Sequence, residues 1–89
     1  MRAIISVVGK DRPGILAIVS KECAQNNVNI IDVSQKVLEN MFTMIMVVET
    51  DSNTEEFNKF VKDMDDIGNK NTLKIHVMHE DIFNAMHTI

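Results

Sequence analysis

The segment that most limits what this chain can fold into is Met41–Thr50, MFTMIMVVET, because it is apolar on both sides of an extended backbone. Successive side chains of a strand point to opposite faces, so Phe42, Met44, Met46 and Val48 line one side while Met41, Ile45 and Val47 line the other. Such a strand is expected in the middle of a sheet, covered on both sides. The preceding run Asn29–Leu38 (NIIDVSQKVL) is also strand-like, and Glu39-Asn40 between the two reads as a hairpin turn.

The other segments supply partners for that hairpin. Residues 2–9 (RAIISVVG) are rich in β-branched side chains and too short for a typical helix, which makes them a strand with Ala3, Ile5 and Val7 on one face. Ile15, Leu16, Ile18, Val19 and Cys23 then recur at helical spacing, with Pro13 placed for the first helical turn and Asn26 or Asn27 for a left-handed stop. Ser52-Asn53-Thr54-Glu55 has the form of a capping box ahead of Phe57, Phe60, Val61, Met64 and Ile67, and this second helix is expected to stop at Gly68. Residues 72–79 alternate with Leu73, Ile75 and Val77 facing inward, and the tail EDIFNAMHTI, from about residue 80, predicts a short amphipathic helix.

The order β-α-β-β-α-β fits two layers. The expected fold class is therefore α+β, a ferredoxin-like sandwich in which a four-stranded antiparallel sheet carries two helices on one face. At 89 residues the chain is expected to be a single domain, 1–89. A domain of that size buries only about 60 to 65% of its unfolded surface, so help from a partner is expected. The second face of the sheet, with Ile4, Val8 and part of the 41–48 strand, invites a second subunit or the tail.

Composition removes several classes of function. A net charge of −4, no Trp, no Tyr and only four Phe argue against direct nucleic-acid binding, which needs a basic face or stacking aromatics. The lone Cys23 has no disulfide partner and is expected to be reduced and buried. No run reaches the roughly 18 apolar residues of a membrane span, and the amino-terminal apolar run is too short for a signal peptide, so the expectation is a cytoplasmic protein without membrane contact.

Two of the three glycines and the only proline fall between Gly9 and Gly14, at the first strand-to-helix junction. Gly9 and Gly14 are spaced as in a phosphate loop, but Ile15 and Leu16 replace the lysine and hydroxyl residue that phosphate and Mg²⁺ require. Two readings stay open. In one the loop is turn architecture alone: Gly9 relieves the strand end, Pro13 starts the helix, and Gly14 packs closely or takes a positive φ. In the other, free N–H groups at the helix start receive a carboxylate and Gly14 leaves the approach clear. With ordinary helical dihedrals at Gly14, Gly14→Asp would then abolish binding and spare folding.

The run Gly9-Lys10-Asp11-Arg12-Pro13-Gly14-Ile15, with Asn29-Ile30 opening the second strand and Phe42-Thr43-Met44 opening the third, resembles the ACT domain. More narrowly, it is similar to small stand-alone ACT proteins that resemble the ACT halves of the glycine cleavage system repressor. The resemblance spans nearly the whole chain. It implies side-by-side homodimers with a continuous sheet and an amino acid or other small ligand at the subunit interface. Carried over residue by residue, it places ligand contacts at Gly9, Asp11, Arg12, Pro13, Gly14 and Ile15, and at Asn29 from the neighbouring subunit. Amides around Gly14 and Ile15 would take a carboxylate, and Asn29, which donates and accepts, an amino or carboxylate group. Arg12 is either the counter-charge or a solvated surface residue. Asp11 departs from the asparagine common in the family's amino-acid sensors, and its charge would pair with an ammonium or repel a carboxylate.

Other chemical signals are weaker. His76 and His79 are three apart and so on opposite faces of a strand, His87 lies in the tail, and there is no C-x-x-C, so no metal is expected. The seven methionines read as core filling. Ser20 and Ser34 have no recognisable base partner, no carboxylate pair stands in an apolar setting, and no cofactor is expected. The expected function is a regulatory, non-enzymatic module that binds a small molecule as a homodimer and signals to a regulated protein partner. A ligand-free dimerisation or adaptor protein, or the non-catalytic subunit of an enzyme, is the alternative.

Overall fold

The computed structural model describes residues 1–87. Across them the chain forms β1 (Arg2–Lys10), α1 (Ile15–Gln25), β2 (Asn29–Leu38), β3 (Met41–Glu49), α2 (Thr54–Lys70), β4 (Leu73–His79) and α3 (Glu80–His87). Every neighbouring strand pair is antiparallel, in the order β2-β3-β1-β4. The units β1-α1-β2 and β3-α2-β4 each join parallel strands across an intervening one, and the right-handed sense of such crossovers puts both helices on one face. This is the ferredoxin-like sandwich expected from the segment order.

The core lies between that face and the helices. Ala3, Ile5 and Val7 of β1 and Phe42, Met44, Met46 and Val48 of β3 meet Ile15, Val19 and Cys23 of α1 and Phe60 and Met64 of α2. Each fully buried aliphatic or aromatic side chain here stabilises the fold by roughly 1.5–3 kcal/mol relative to exposure. β3 is central, as its composition demands, but among the described residues only one of its faces is fully covered. Met41 and Ile45 on the other face are 54% and 38% exposed. The reason is topological: α1 and α2 share the opposite face, and α3 reaches β1 and β4 but not β3. The tail thus covers part of the second face, leaving Ile4 only 5% exposed while Val8 stays open at 36%. Thr88 and Ile89, the end of that expected helical tail, lie outside the described residues.

The turns follow local chemistry, with three corrections. Glu39 and Asn40 have φ of 52° and 76°, the double positive φ of a two-residue hairpin turn, and Asn27 takes the left-handed stop after α1 at φ 57°. Pro13, however, precedes α1 instead of starting it, because the helix begins after Gly14. The capping box is Asn53 with Glu56, one residue later than expected: the Glu56 N–H donates to Asn53 Oδ1 at 2.8 Å, and the Asn53 N–H to Glu56 Oε1 at 2.9 Å. Ser52 is unavailable as the cap because its hydroxyl is hydrogen-bonded to Thr50 Oγ1 at 2.6 Å. Finally, α2 does not stop at Gly68 but runs to Lys70, and Thr72 supplies the left-handed residue at φ 57°. Gly68 is needed for space: a Cβ there would lie 2.8 Å from the Leu73 carbonyl oxygen, so its absence lets α2 settle on the start of β4.

Candidate functional site

β1 ends between the start of β3 and the start of β4, with Gly9 opposite both Phe42 and Leu73. The loop that follows therefore emerges between the β2–β3 hairpin and the α2–β4 junction, and it is tied to both. The Asp11 N–H donates to the Asn40 carbonyl at 2.7 Å. Arg12 Nη2 donates to the Asn71 carbonyl at 2.8 Å. Asn71 caps the carboxyl end of α2, where carbonyls lack helical partners and a cation is favoured. Arg12 is accordingly half-buried and braces the loop, while the Asp11 side chain stands exposed.

Gly14 has φ 90° and ψ 1°, the angles of the third residue of a type II turn with Pro13 in second place. A Cβ on Gly14 would meet nothing within 4 Å. Of the two purely structural roles for this glycine, positive φ is the one the loop uses, and the space above it is open to an approaching group. Close packing belongs instead to Gly9, where a Cβ would come within 2.6 Å of Leu73 Cδ2.

The start of α1 has no side-chain cap and no acidic residue in its first turn. Its N–H groups and the positive end of its dipole thus face the loop without a carboxylate from the helix itself. The Ile15 side chain is in the core at 2% exposure, so only its backbone can serve a ligand. Gly9, Asp11, Arg12, Pro13, Gly14 and Ile15 follow one another along this one junction, with Asp11, Pro13 and Gly14 exposed on it. Asn29 does not join them within a single chain. It is exposed and pairs with Glu49 at the far end of β3, whereas the loop sits beside Met41, eight residue steps and roughly 27 Å away.

Of the two residues that hold the loop, the sequence marks Asn40 only as part of the hairpin turn and does not single out Asn71. They act through backbone carbonyls, which residue type does not reveal; the only trace is that asparagine favours the ends of elements. A groove of about 780 Å³ runs between α1 and α2, from Ile18, Lys70 and Asn71 near the loop to Asn26 and Lys59 at the other end. At that far rim Lys59 Nζ lies 2.6 Å from Asp63 Oδ2. The hydrogen bond holds the Asp63 carboxyl below its ordinary range and the Lys59 ammonium above its own.

Cys23 is 1% exposed, and burial, with the Glu22 charge adding to it, pushes its thiol up to about 11. A thiol so placed is neither a nucleophile nor a ready metal ligand near neutral pH. Among the described residues no three His, Cys, Asp or Glu side chains converge as a metal site, and no helix is long and apolar enough to cross a membrane.

Two helices packed side by side on one face of an open-edged antiparallel sheet, with a glycine-turned loop leading into an uncapped helix, define the class: a ferredoxin-like domain with an accessible strand-to-helix loop. Within that class the chain belongs to the ACT domain family of regulatory ligand-binding modules, whose sequence model matches residues 2–78. A UPF0237 protein of Listeria innocua is 43% identical over 89 residues, covering 100% of both chains. A UPF0237 protein of Methanocaldococcus jannaschii is 42% identical over 88 residues, covering 99% of this chain and 98% of the other. Among solved structures, an ACT domain protein from Streptococcus pneumoniae superposes with a TM-score of 0.82 at 41% identity, over 93% of each chain. A putative glycine cleavage system transcriptional repressor shares the fold, with a TM-score of 0.76 at 24% identity over 89% of this chain and 47% of that one.

Proposed function

We propose that this protein is a cytoplasmic, non-catalytic regulatory module that works as a homodimer and binds an amino acid or a similar small carboxylate between subunits, at the β1–α1 loop. The observation that carries the reading is the helix start at Gly14: N–H groups without a side-chain cap, an open approach over a glycine held at φ 90°, and a loop braced from both sides by Asn40 and Asn71. A carboxylate suits that position by hydrogen bonding and by the helix dipole. The location of Asn29 supports the dimer. It starts β2, which is an edge strand, and a second copy laid antiparallel along that edge would carry its own Asn29 to the end of the sheet where this copy's loop lies. The ligand's signal would then pass to a regulated protein partner through the dimer. A free, buried cysteine suits a reducing compartment.

One observation favours a second reading, a ligand-free dimerisation or adaptor protein. Arg12 already donates to Asn71, and the Asp11 carboxylate stands exposed beside the helix start, where it opposes a second negative group. Thermal melts against a panel of amino acids and small carboxylates separate the two. A ligand at 100 times its Kd adds about 2.7 kcal/mol of apparent stability, which in a domain of this size raises Tm by roughly 10–20 °C. The regulatory reading expects such a shift for at least one compound, lost in Asn29→Ala. A flat response to the whole panel supports the adaptor.

A further inference from the structure

α3 stands outside the segment that the family's sequence model matches, which ends at residue 78. It follows His79, which pairs with Ala3, and lies over that corner of the sheet's outer face, against β1 and β4. Ile82 and Met86, one helical turn apart and so on one side of the helix, are left 56% and 67% exposed. The first turn of α3 is acidic, with Glu80 at 3.8 Å from Arg2 and the Asp81 side chain in solvent. The diagonally opposite corner of the same face has the complementary character. There Leu38 pairs with Met41 and Met41 with Lys10, and in the next row Lys36 pairs with Thr43, Thr43 with Val8 and Val8 with Lys74. Residues paired across strands share a face, and these alternate with the buried Phe42 and Val7, so they stand on the outer one. Leu38 and Met41 are 66% and 54% exposed, the three lysines are exposed, and neither row holds a carboxylate; Asp11 and Glu39 lie in the turns beyond the strands. Asp32 and Glu49 belong to rows at the other end. An exposed apolar patch rimmed by polar side chains marks an interaction site.

We infer that the outer face is a self-association surface, on which α3 of each copy seats Ile82 and Met86 against Leu38 and Met41 of the other, with Asp81 turned toward Lys36. This goes beyond the edge-to-edge dimer proposed above and does not depend on it, since it uses the face of the sheet and leaves the β2 edge untouched. The helix and the patch it would cover lie on one face, so a two-fold axis running between the two sheets makes the contact twice, once for each copy. Charge selects the direction of that axis. Parallel to the strands, it would lay α3 over the row of Asp32 and Val47, acid against acid. Perpendicular to them, it would lay α3 over Val8 and Lys74, where among the described residues Val8 is the one open apolar side chain. Oblique to them, it exchanges the α3 corner with the corner of Leu38 and Met41, where apolar side chains meet apolar ones and an acid meets lysines. A single chain does not make this contact with itself, because among the described residues α3 does not reach β3.

Sedimentation of the full-length wild type is compared with that of Met86→Lys, Met41→Lys and Lys36→Glu, each substituted at an exposed position and checked for native circular dichroism. Either methionine variant is expected to weaken the face contact by roughly tenfold or more, because the symmetry removes each buried side chain twice. Lys36→Glu is expected to weaken it by roughly threefold or more, and unchanged association would overturn the orientation given to α3. Met86→Cys and Met41→Cys chains, mixed and treated with a short bismaleimide, should yield a cross-link between positions 41 and 86 of different chains, identified by peptide mass spectrometry. An edge dimer along β2 holds those positions apart, as each α3 lies over β1 and β4 of its own copy, and the native Cys23 is buried. Assembly beyond a dimer that falls back to a dimer in Met86→Lys supports both contacts. A dimer that Met86→Lys splits, with the cross-link formed, supports the face contact and counts against the edge. A wild-type dimer that the methionine variants leave intact, with no such cross-link, overturns the face contact and leaves the edge dimer standing. A monomeric wild-type chain overturns both.

Discussion

At the scale of single residues, Gly14 and Cys23 carry the sharpest consequences. An L side chain at φ 90° costs roughly 1–2 kcal/mol, so Gly14→Ala is expected to lose about that much unfolding free energy in urea melts. Gly14→Asn should lose less, because asparagine tolerates the left-handed region. Equal losses for both would point to packing, which the open space around Gly14 argues against. The expectation that Gly14→Asp would spare folding depended on ordinary helical angles and is overturned by the positive φ. Cys23 makes a prediction in pH. Its folded-state pKa of about 11 lies above the ordinary 9.0 of an exposed thiol, so protonation is favoured by folding. That stability is fully present below pH 9 and is lost as pH rises toward 11, where the unfolded thiol ionises and the buried one does not. Compared with Cys23→Ala, the wild type should show a steeper fall in denaturation midpoint between those two values; parallel curves would contradict the burial of the thiol.

Among the elements, α2 shows how packing overrides propensity. Gly68 sits in the helix interior, where alanine would ordinarily be preferred by about 1 kcal/mol. Here a methyl group would press on the Leu73 carbonyl at 2.8 Å, and that backbone oxygen belongs to the sheet and cannot easily move aside. Gly68→Ala is therefore expected to destabilise by about 1–3 kcal/mol, the range of overpacking, measured by chemical denaturation. A stabilised variant would show that α2 can lift away from β4 at little cost.

On the scale of the whole molecule, the sheet has one finished face and one unfinished one. α3 closes the unfinished face over β1 and β4, and Ile4 is buried at 5% exposure on that side, where neither α1 nor α2 reaches. Truncation after His79 should leave the helical face and its core intact while uncovering Ile4, at a cost of up to roughly 1.5–3 kcal/mol. The readout is a rise in binding of an apolar dye with near-native far-ultraviolet circular dichroism. An unchanged dye signal would mean that α3 does not hold that face closed.

Periodicity and turn chemistry were legible from the chain alone because they are local. The alternation of β1 and β4, the helical spacing of Phe60 and Met64, the Glu39-Asn40 turn and the left-handed Asn27 each depend on neighbours a few residues away, and with them the order of elements and the helical face were settled. The GKDRPGI loop was likewise recognisable as a unit. What it does depended on distant residues: Arg12 turned out to be anchored by the carbonyl of Asn71, fifty-nine positions along the chain, and Asp11 by that of Asn40. Backbone acceptors have no residue-type signature, so that bracing could not be read beforehand. The same holds for Gly68, whose reason is a strand carbonyl and not a helix end, and for the outer face of β3, apolar in sequence yet open in the single chain. Local sequence determines which conformation each segment prefers, whereas only the tertiary structure decides which segments approach closely enough for a missing Cβ, a freed carbonyl or an uncovered apolar face to matter.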